Sequence, residues 1–395
     1  MKLGGITEME ITGVAFGGEG IGRVDNKVVF VPHTVDGDVI RCEITDTRPR
    51  YARGIIRTIL KPSPHRAIPS CDVYGSCGGC CYQHIVYEYQ LVLKEKQVRE
   101  TLQRVGKFSH PCVLPIIKSP QSCHYRLKAD FHVMRKDGSF LTGFMSRGSN
   151  EITAIKRCEI VDEKINRRYQ RWQEELCRKQ KAPPLNRVVF WAEEGGEASE
   201  YDDDMFVSQV VCQKSLMTPR NGFFQGNQFL LPEMVAMVKK IADLQGDEIV
   251  VDGFCGSGLF ALFLSPHSRT VYGIEGDKQA MRAARENMRR HRCDNVVLRQ
   301  EDMTAGLGKM VNDDVHPDVL VIDPPRTGCK SSLIDQVVRL APERIVYISC
   351  NPATQARDIR LLCDRMFQLE FLQPMDMFPH TAHIEVIALL TRKTP

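Results

Sequence analysis

The sequence holds no apolar run near the length of about 20 residues that a membrane-spanning helix needs. Its first residues, Met1 to Glu10, carry acids and glycines where a secretory leader would carry an apolar segment. No membrane and a cytoplasmic location are therefore expected. Net charge is also scarce: 53 Lys and Arg against 49 Asp and Glu leave +4 over 395 residues. That excludes a bulk polycation held to nucleic acid by total charge alone. Neither internal repeat nor low-complexity tract is visible, so a solenoid or a disordered chain is set aside. The hydrophobic fraction of 43% and the charged fraction of 26% are those of an ordinary globular protein. A chain of 395 residues exceeds what one core organises, so two or three domains are expected. No obligate protein partner is evident, and a monomer is the expectation.

What the sequence does have is cysteine, 15 in all. Without a secretory leader these do not form a disulfide framework; they are core thiols, metal ligands or a nucleophile. Spacing separates the cases. Cys71, Cys77 and Cys80 lie in one glycine-rich stretch, with Cys81 adjoining and Cys158 as candidate fourth member. Thiolates so spaced hold either zinc or an iron–sulfur cluster. Three cysteines so close together argue against unligated core thiols.

Residues 8–60 show short strand patterns, Met9–Val14, Lys27–Val31, Asp38–Thr45 and Arg53–Ile59. They are broken by turn signals at Gly17, Gly18, Gly20, Gly22 and Asp36-Gly37. A small β-barrel is expected over 1–62. Arg41, Arg48, Arg50, Arg53, Arg57, Lys61 and Arg66 crowd the same stretch, either as a solvated face or as an RNA contact. A proline-containing linker leads into a central α+β region over 63–220. There a helix at 88–105 should turn Leu91, Val98, Leu102 and Val105 to one face. Strand patterns at Arg126–Met134, Phe140–Met145 and Asn186–Trp191 surround a charged helix near 162–180. From 221 to 395 helix and strand patterns alternate, which predicts a doubly wound, mostly parallel α/β sheet.

In such sheets ligands bind at the carboxyl ends of the strands. Asp252–Gly258 is a glycine loop at the end of the first buried strand, with Gly256 and Gly258 letting the backbone approach a ligand. Glu275 ends the next strand, placed to accept hydrogen bonds from ribose hydroxyls, and Asp302 follows the third. No third glycine opens a pyrophosphate-binding helix, which favours S-adenosylmethionine over a dinucleotide. Asp323-Pro-Pro-Arg-Thr-Gly328 makes a rigid loop after the fourth strand, and Ser349-Cys-Asn-Pro352 follows the fifth. A lone cysteine at a strand end is ordinarily a small buried hydrophobe. Here Cys350 converges with the Asp323 loop on the edge that faces the cofactor. A thiolate there can add to carbon 6 of uracil and so activate carbon 5. A base must then remove the carbon 5 proton; Glu385 is the candidate, with His380 and His383 as alternatives.

These residues resemble the RNA 5-methyluridine methyltransferase family along nearly the whole chain. The resemblance rests on Phe223–Asn227, Asp252–Gly258, Asp323–Gly328, Ser349–Arg357 and Phe378–Glu385. It implies Cys350 as nucleophile and Glu385 as base. It implies Gln225, Phe254, Glu275, Asp302 and Asp323 as cofactor-site residues beside Gly256 and Gly258. Two positions depart from the family: Leu259 where many members have Asn, and Asp302 where some do. The family's large-subunit-rRNA branch carries a 4Fe–4S cluster on four cysteines laid out like Cys71, Cys77, Cys80 and Cys158, which implies iron–sulfur over zinc and leaves Cys81 a bystander. Residues 17–23 and 31–38 resemble a TRAM domain, an RNA-binding barrel. The implied activity is methylation of uridine carbon 5, in ribosomal RNA before tRNA. A base-amine or ribose methyltransferase and a non-catalytic RNA-binding or iron–sulfur sensor protein are the rivals; the pairing of Cys350 with Glu385 argues against both.

Overall fold

The computed structural model describes residues 2–136, 138–179, 186–193, 198–199 and 205–393. Strands β1 (Ile6–Val14), β2 (Glu19–Val24), β3 (Lys27–Pro32), β4 (Val39–Thr47) and β5 (Tyr51–Lys61) close into a barrel in the order β1-β2-β3-β5-β4. Side chains alternate across a strand. Met9 and Ile11, Val29 and Val31, and Ile40, Cys42 and Ile44 therefore fill the interior. Gly17 and Gly18 do turn the chain, with φ of +106° and +91°. Gly20 and Gly22, read as turn signals, instead lie within β2. A Cβ on Gly20 would stand 1.9 Å from Thr34 Oγ1, and one on Gly22 2.5 Å from Met9 Sδ. They are glycines because neighbours press on the strand.

Helix α1 (Tyr87–Arg104) follows, and β6 (Lys128–Lys136), β7 (Ser139–Met145), β8 (Ile152–Ala154), helix α2 (Glu163–Lys179) and β9 (Arg187–Trp191) form the central region. Its sheet runs β8-β7-β6-β9. The α2 face packs on it, with the Tyr169 and Phe131 rings stacked 3.9 Å apart. The last residue of the expected span 162–180 lies outside the described residues. On α1, Val98 and Leu102 are buried as expected, but Val105 is exposed and Leu91 half-buried. The face also buries Gln90, Lys94 and Gln97. Those polar groups are taken up by hydrogen bonds to the barrel and to the end of the last sheet.

Strands β10 (Phe206–Val211) and β11 (Lys214–Pro219) make a hairpin that the sequence reading missed. Its turn, Cys212 and Gln213, has positive φ at both residues but no glycine or asparagine to announce it. The last region is α3 (Leu231–Ala242), β12 (Ile249–Gly253), α4 (Leu259–Leu264), β13 (Thr270–Glu275), α5 (Lys278–Arg290), β14 (Val296–Gln300), α6 (Met303–Asn312), β15 (Val319–Ile322), α7 (Ser331–Leu340), β16 (Arg344–Ser349), α8 (Pro352–Cys363), β17 (Phe367–Met375) and β18 (Glu385–Arg392). The sheet order is β14-β13-β12-β15-β16-β18-β17, and β18 alone runs against the others, antiparallel to both β16 and β17. Apolar clusters cover both faces, as a doubly wound sheet requires. Strand order reverses between β12 and β15, so their following loops part and leave a crevice at the strand ends. Among the described residues no helix is long and apolar enough to cross a membrane.

Candidate active site

The loop after β12 is held by two carboxylates. Asp252 is buried, and its Oδ2 accepts from Ala261 N at 2.8 Å, tying the strand end to α4. Burial pushes the Asp252 carboxyl up to about 7, with Asp323 and Glu275 adding to the shift. Glu275 Oε2 accepts from Gly256 N at 3.0 Å, and its Oε1 accepts from Asp277 N at 2.7 Å. Phe254, Gly256 and Gly258 all take positive φ, so the chain between them coils tightly beside Glu275. Asp302 sits at the end of β14 as the cap of α6, its Oδ1 accepting from Thr304 N at 2.9 Å and Ala305 N at 3.3 Å. That cap accounts for an acidic residue there without a ligand.

Across the crevice, Gln225 Nε2 donates to Asp323 Oδ2 at 3.0 Å. The Gln225 amide oxygen is buried with no partner, an acceptor open to a ligand donor. Asn227, from the same Phe-Phe-Gln-Gly-Asn segment, is spent on structure. It donates to Ser119 Oγ and accepts from Phe229 N and Leu230 N.

Cys350 follows β16 and leads into α8, which Asn351 caps by accepting from Ala353 N at 3.1 Å. The antiparallel register of β16 and β18 pairs Ser349 with Val386. Cys350 and Glu385 adjoin that last pair, each one residue beyond it, and the two groups interact electrostatically. Glu385 is 2% exposed. Burial lifts its carboxyl well above the usual carboxylate range, Asp323 adds to that, and Arg326 pulls back. Burial lifts Asp323 as well, against the hydrogen bond from Gln225. The Cys350 thiol is pushed up by burial and by Glu385, while the Arg326 guanidinium beside it pulls the other way.

The alternatives for the base fare differently. His380 donates its backbone N–H to Gln90 Oε1 at 3.0 Å, and its carbonyl accepts from Cys81 N and Tyr82 N. Burial lowers its imidazole to about 4. It is a structural joint between α1, the cysteine loop and the strand that carries Glu385. His383 is exposed, three residues on. Sequence reasoning missed three contributors: Arg326, named only as part of the rigid Asp323–Gly328 loop, and the wholly buried pair Lys94 and Asp376. Lys94 Nζ also donates to Phe378 O at 3.0 Å, so α1 fastens the segment that leads to Glu385. A lysine among Leu93, Val98 and Leu102 on one helix face was the available signal.

Cys71, Cys77, Cys80 and Cys158 line one cavity of about 420 Å³, far from one another in sequence only for the last. Cys81 turns away, its sulfur against Gly18 of the barrel. Among the described residues no three of His, Cys, Asp or Glu converge on a single-ion position. Burial raises all four cavity thiols, and it pushes Cys158 up to about 11.

The crowded arginines of the barrel are largely paired. Arg41 meets Glu8, Arg48 meets Asp46, Arg53 meets Glu19 and Arg57 meets Glu43. Arg66 is a buried-side clamp on Asp38, whose carboxylate also accepts from Val35 N and Ser63 N.

Known proteins resemble this chain closely enough to place it. Residues 2–56 match the TRAM domain, and residues 209–393 match the family described as tRNA (Uracil-5-)-methyltransferase. An uncharacterized RNA methyltransferase of Nostoc sp. is 30% identical over 450 aligned residues, covering 98% of this chain and 96% of that protein. One of Bacillus anthracis is 30% identical, covering 100% of this chain and 98% of its own length. The Pyrococcus abyssi tRNA (uracil-54, C5)-methyltransferase, solved with S-adenosyl-L-homocysteine, shares the fold with a TM-score of 0.73 at 22% identity, covering 98% of this chain and all of that one. Fold and relatives define the class, an S-adenosylmethionine-dependent RNA methyltransferase. Within that class the chain belongs to the RNA 5-methyluridine methyltransferase family.

Proposed function

We propose that this enzyme methylates carbon 5 of a uridine in large-subunit ribosomal RNA through a covalent bond between Cys350 and carbon 6. The observation that carries the reading is the register of β16 and β18, which sets a thiol near a buried carboxyl at the crevice edge. Carbon 5 of uracil is a weak nucleophile. Addition of the Cys350 thiolate to carbon 6 forms a C–S bond and moves the electron pair into an enolate. S-adenosylmethionine, when bound, supplies a methyl group on a positively charged sulfur. Carbon 5 takes that methyl as its C–S bond breaks. Glu385 then removes the carbon 5 proton, and the electron pair expels Cys350 as thiolate. A high proton affinity at Glu385 suits the second step, and Arg326 beside Cys350 favours the thiolate of the first. Gln225, Phe254, Gly256, Gly258, Glu275 and Asp323 would hold the cofactor, with Asp302 at the rim. The target base must leave its stack to reach Cys350.

Three functional units follow: a barrel over 1–62 that contacts RNA, a central region over 63–220, and the methyltransferase over 221–395. The cavity thiols suit a 4Fe–4S cluster on Cys71, Cys77, Cys80 and Cys158. Four thiols of raised proton affinity around one cavity need a cationic group to become thiolates, and the cavity is wide for one ion. The cluster would order the cysteine loop, which bonds through Cys81 and Tyr82 to the His380 carbonyl. The barrel combined with this quartet favours ribosomal RNA. The test is tritium release from RNA labelled at uridine carbon 5, with anaerobically purified enzyme, comparing large-subunit rRNA and tRNA transcripts. Release from rRNA, abolished in Cys350→Ala, is expected. Release from tRNA alone would reassign the substrate, and methyl incorporation without release would overturn the carbon 5 chemistry.

A further inference from the structure

The helix that follows Cys350 carries more than its cap. Asn351, Thr354 and Asp358 recur at helical spacing, so they share the face of α8 turned to the Asp323–Gly328 loop. Asn351 Nδ2 donates to Arg326 O at 3.0 Å, and Thr354 Oγ1 donates to the same oxygen at 3.2 Å. Arg357 Nη2 donates to Thr327 O at 3.0 Å and Cys329 O at 3.2 Å. At the centre lies Asp358, fully buried. Its Oδ2 accepts from Cys329 N and from Tyr347 Oη, each at 2.7 Å, and its Oδ1 accepts from Arg357 Nε at 2.8 Å. Gly328 closes the argument from the loop's side. It has φ of +73°, and a Cβ there would stand 2.5 Å from Asp358 Oδ2. The loop has a glycine at this point because the carboxylate comes so near.

A buried carboxylate costs free energy unless its bonds offset it. This one spends its acceptors on a strand hydroxyl, a loop amide and a helix guanidinium. It thereby ties three elements together: β16, which ends at the nucleophile; α8, which starts beside it; and the loop that carries Arg326. The charged and titratable groups facing Cys350 are Glu385 from β18, and Asp323 and Arg326 from the loop, with His383 near Arg326. Of these, Arg326 alone favours a thiolate. Its own carbonyl is held by Asn351 and Thr354, and the loop that follows it is held by Asp358 at Cys329 N.

We propose that Asp358 is a positioning residue for the nucleophile: by clamping the 326–329 loop to β16 and α8 it keeps the Arg326 guanidinium beside the Cys350 sulfur. The proposal rests on the reading of Cys350 as nucleophile, but its test does not need RNA. Cys350 alkylation by iodoacetamide is followed against pH in the full-length protein, by mass spectrometry of the peptide that contains it. Asp358→Asn, whose amide faces two donors with a further N–H, should displace the alkylation profile upward by about one pH unit, roughly tenfold slower alkylation below the midpoint. Tyr347→Phe removes one donor and should move it the same way by less. Tyr347→Phe decides the matter if Asp358→Asn does not fold. Arg326→Ala should produce the full displacement, and Arg326→Ala combined with Asp358→Asn should add nothing to it. A merely structural role would leave the profile in place or add its effect on top of Arg326→Ala, and either result overturns the proposal. S-adenosylhomocysteine binding should stay within a few-fold of the parent in every variant that folds. If alkylation shifts as expected while tritium release fails in the parent enzyme, the clamp stands and the uridine chemistry falls.

Discussion

At the scale of single residues, the site sets a half-buried thiol near a buried carboxyl, and both hold their protons too tightly for the proposed chemistry at acid pH. In the mechanism proposed above, Cys350 must lose its proton before it adds, and Glu385 must be ionised before it accepts one. Both are raised, chiefly by burial. Each working form is therefore lost as pH falls, so turnover should climb through neutral pH and show no plateau in the ordinary carboxylate range. Profiles of kcat against pH check this; an acidic limb near 4 would contradict it. The order of bond changes makes Glu385→Gln informative. The methyl is already transferred when the base acts, so this variant should lose about 10²–10⁴ of kcat. It should also leave methylated RNA attached to Cys350, visible as a band of lowered mobility on a denaturing gel. Cys350→Ala should show neither band nor turnover. The two residues proposed for these bonds stood out in the sequence because their motifs are rare: a cysteine before Asn-Pro and a glutamate in His-Ile-Glu. Arg326, Lys94, Asp376 and Asp358 did not, because their roles depend on which segments the fold folds together.

Elements answer to different constraints. Inside β2, Gly20→Ala would drive a methyl group onto Thr34 Oγ1, so overpacking should cost about 1–3 kcal/mol. Urea denaturation should show it, while the neighbouring turn at Gly17, where nothing lies within 4 Å, is strained only through its φ. At the end of β12, Asp252 is held with its carboxyl near 7. A group raised on folding contributes stability that is full below its unfolded value, about 4, and lost as pH rises through the folded value. Asp252→Asn keeps an acceptor for Ala261 N and removes the titration. Its Tm advantage over the parent should therefore grow between pH 4 and 7 and level off above, a difference of a few kcal/mol. Effects common to both proteins cancel, including those of His33 and His84, which burial lowers to about 4. A constant difference across that window would refute the assignment. Elements were legible where periodicity was strong. The alternation of helix and strand over 221–395 announced the parallel sheet that β12, β13, β15 and β16 form. The hairpin β10–β11 and helices α6 and α8 were missed. Their signals are a glycine-free turn, a helix interrupted by Gly306 and Gly308, and a helix whose first face is polar because it grips a loop.

In the whole molecule, distant segments meet at the 376–384 segment that leads into Glu385. Helix α1 reaches it through Lys94 and Gln90, the cysteine loop through the His380 carbonyl, and the barrel through Gln97, which donates to Val14 O and Ala15 O. RNA held by the barrel would thus be read by the same framework that holds Glu385, the proposed base. Whether the barrel's arginines do the holding turns on their ion pairs. Arg48 and Arg53 already meet Asp46 and Glu19 on the surface, and exposed pairs of this kind are worth about 1 kcal/mol or less. Such pairs open readily to a phosphate, whereas the Arg66 clamp on buried Asp38 does not. Arg48, Arg50 and Arg53 are therefore the set to replace together. If all three meet phosphates, the triple alanine variant should weaken RNA binding, and the slope of log affinity against log salt should fall by about 2 for a single strand. Filter binding across salt concentrations measures both. Cofactor binding should be unaffected, since no arginine of this set lines the crevice. An unchanged slope would mean that the barrel face is a lattice of solvated ion pairs and that RNA is gripped elsewhere.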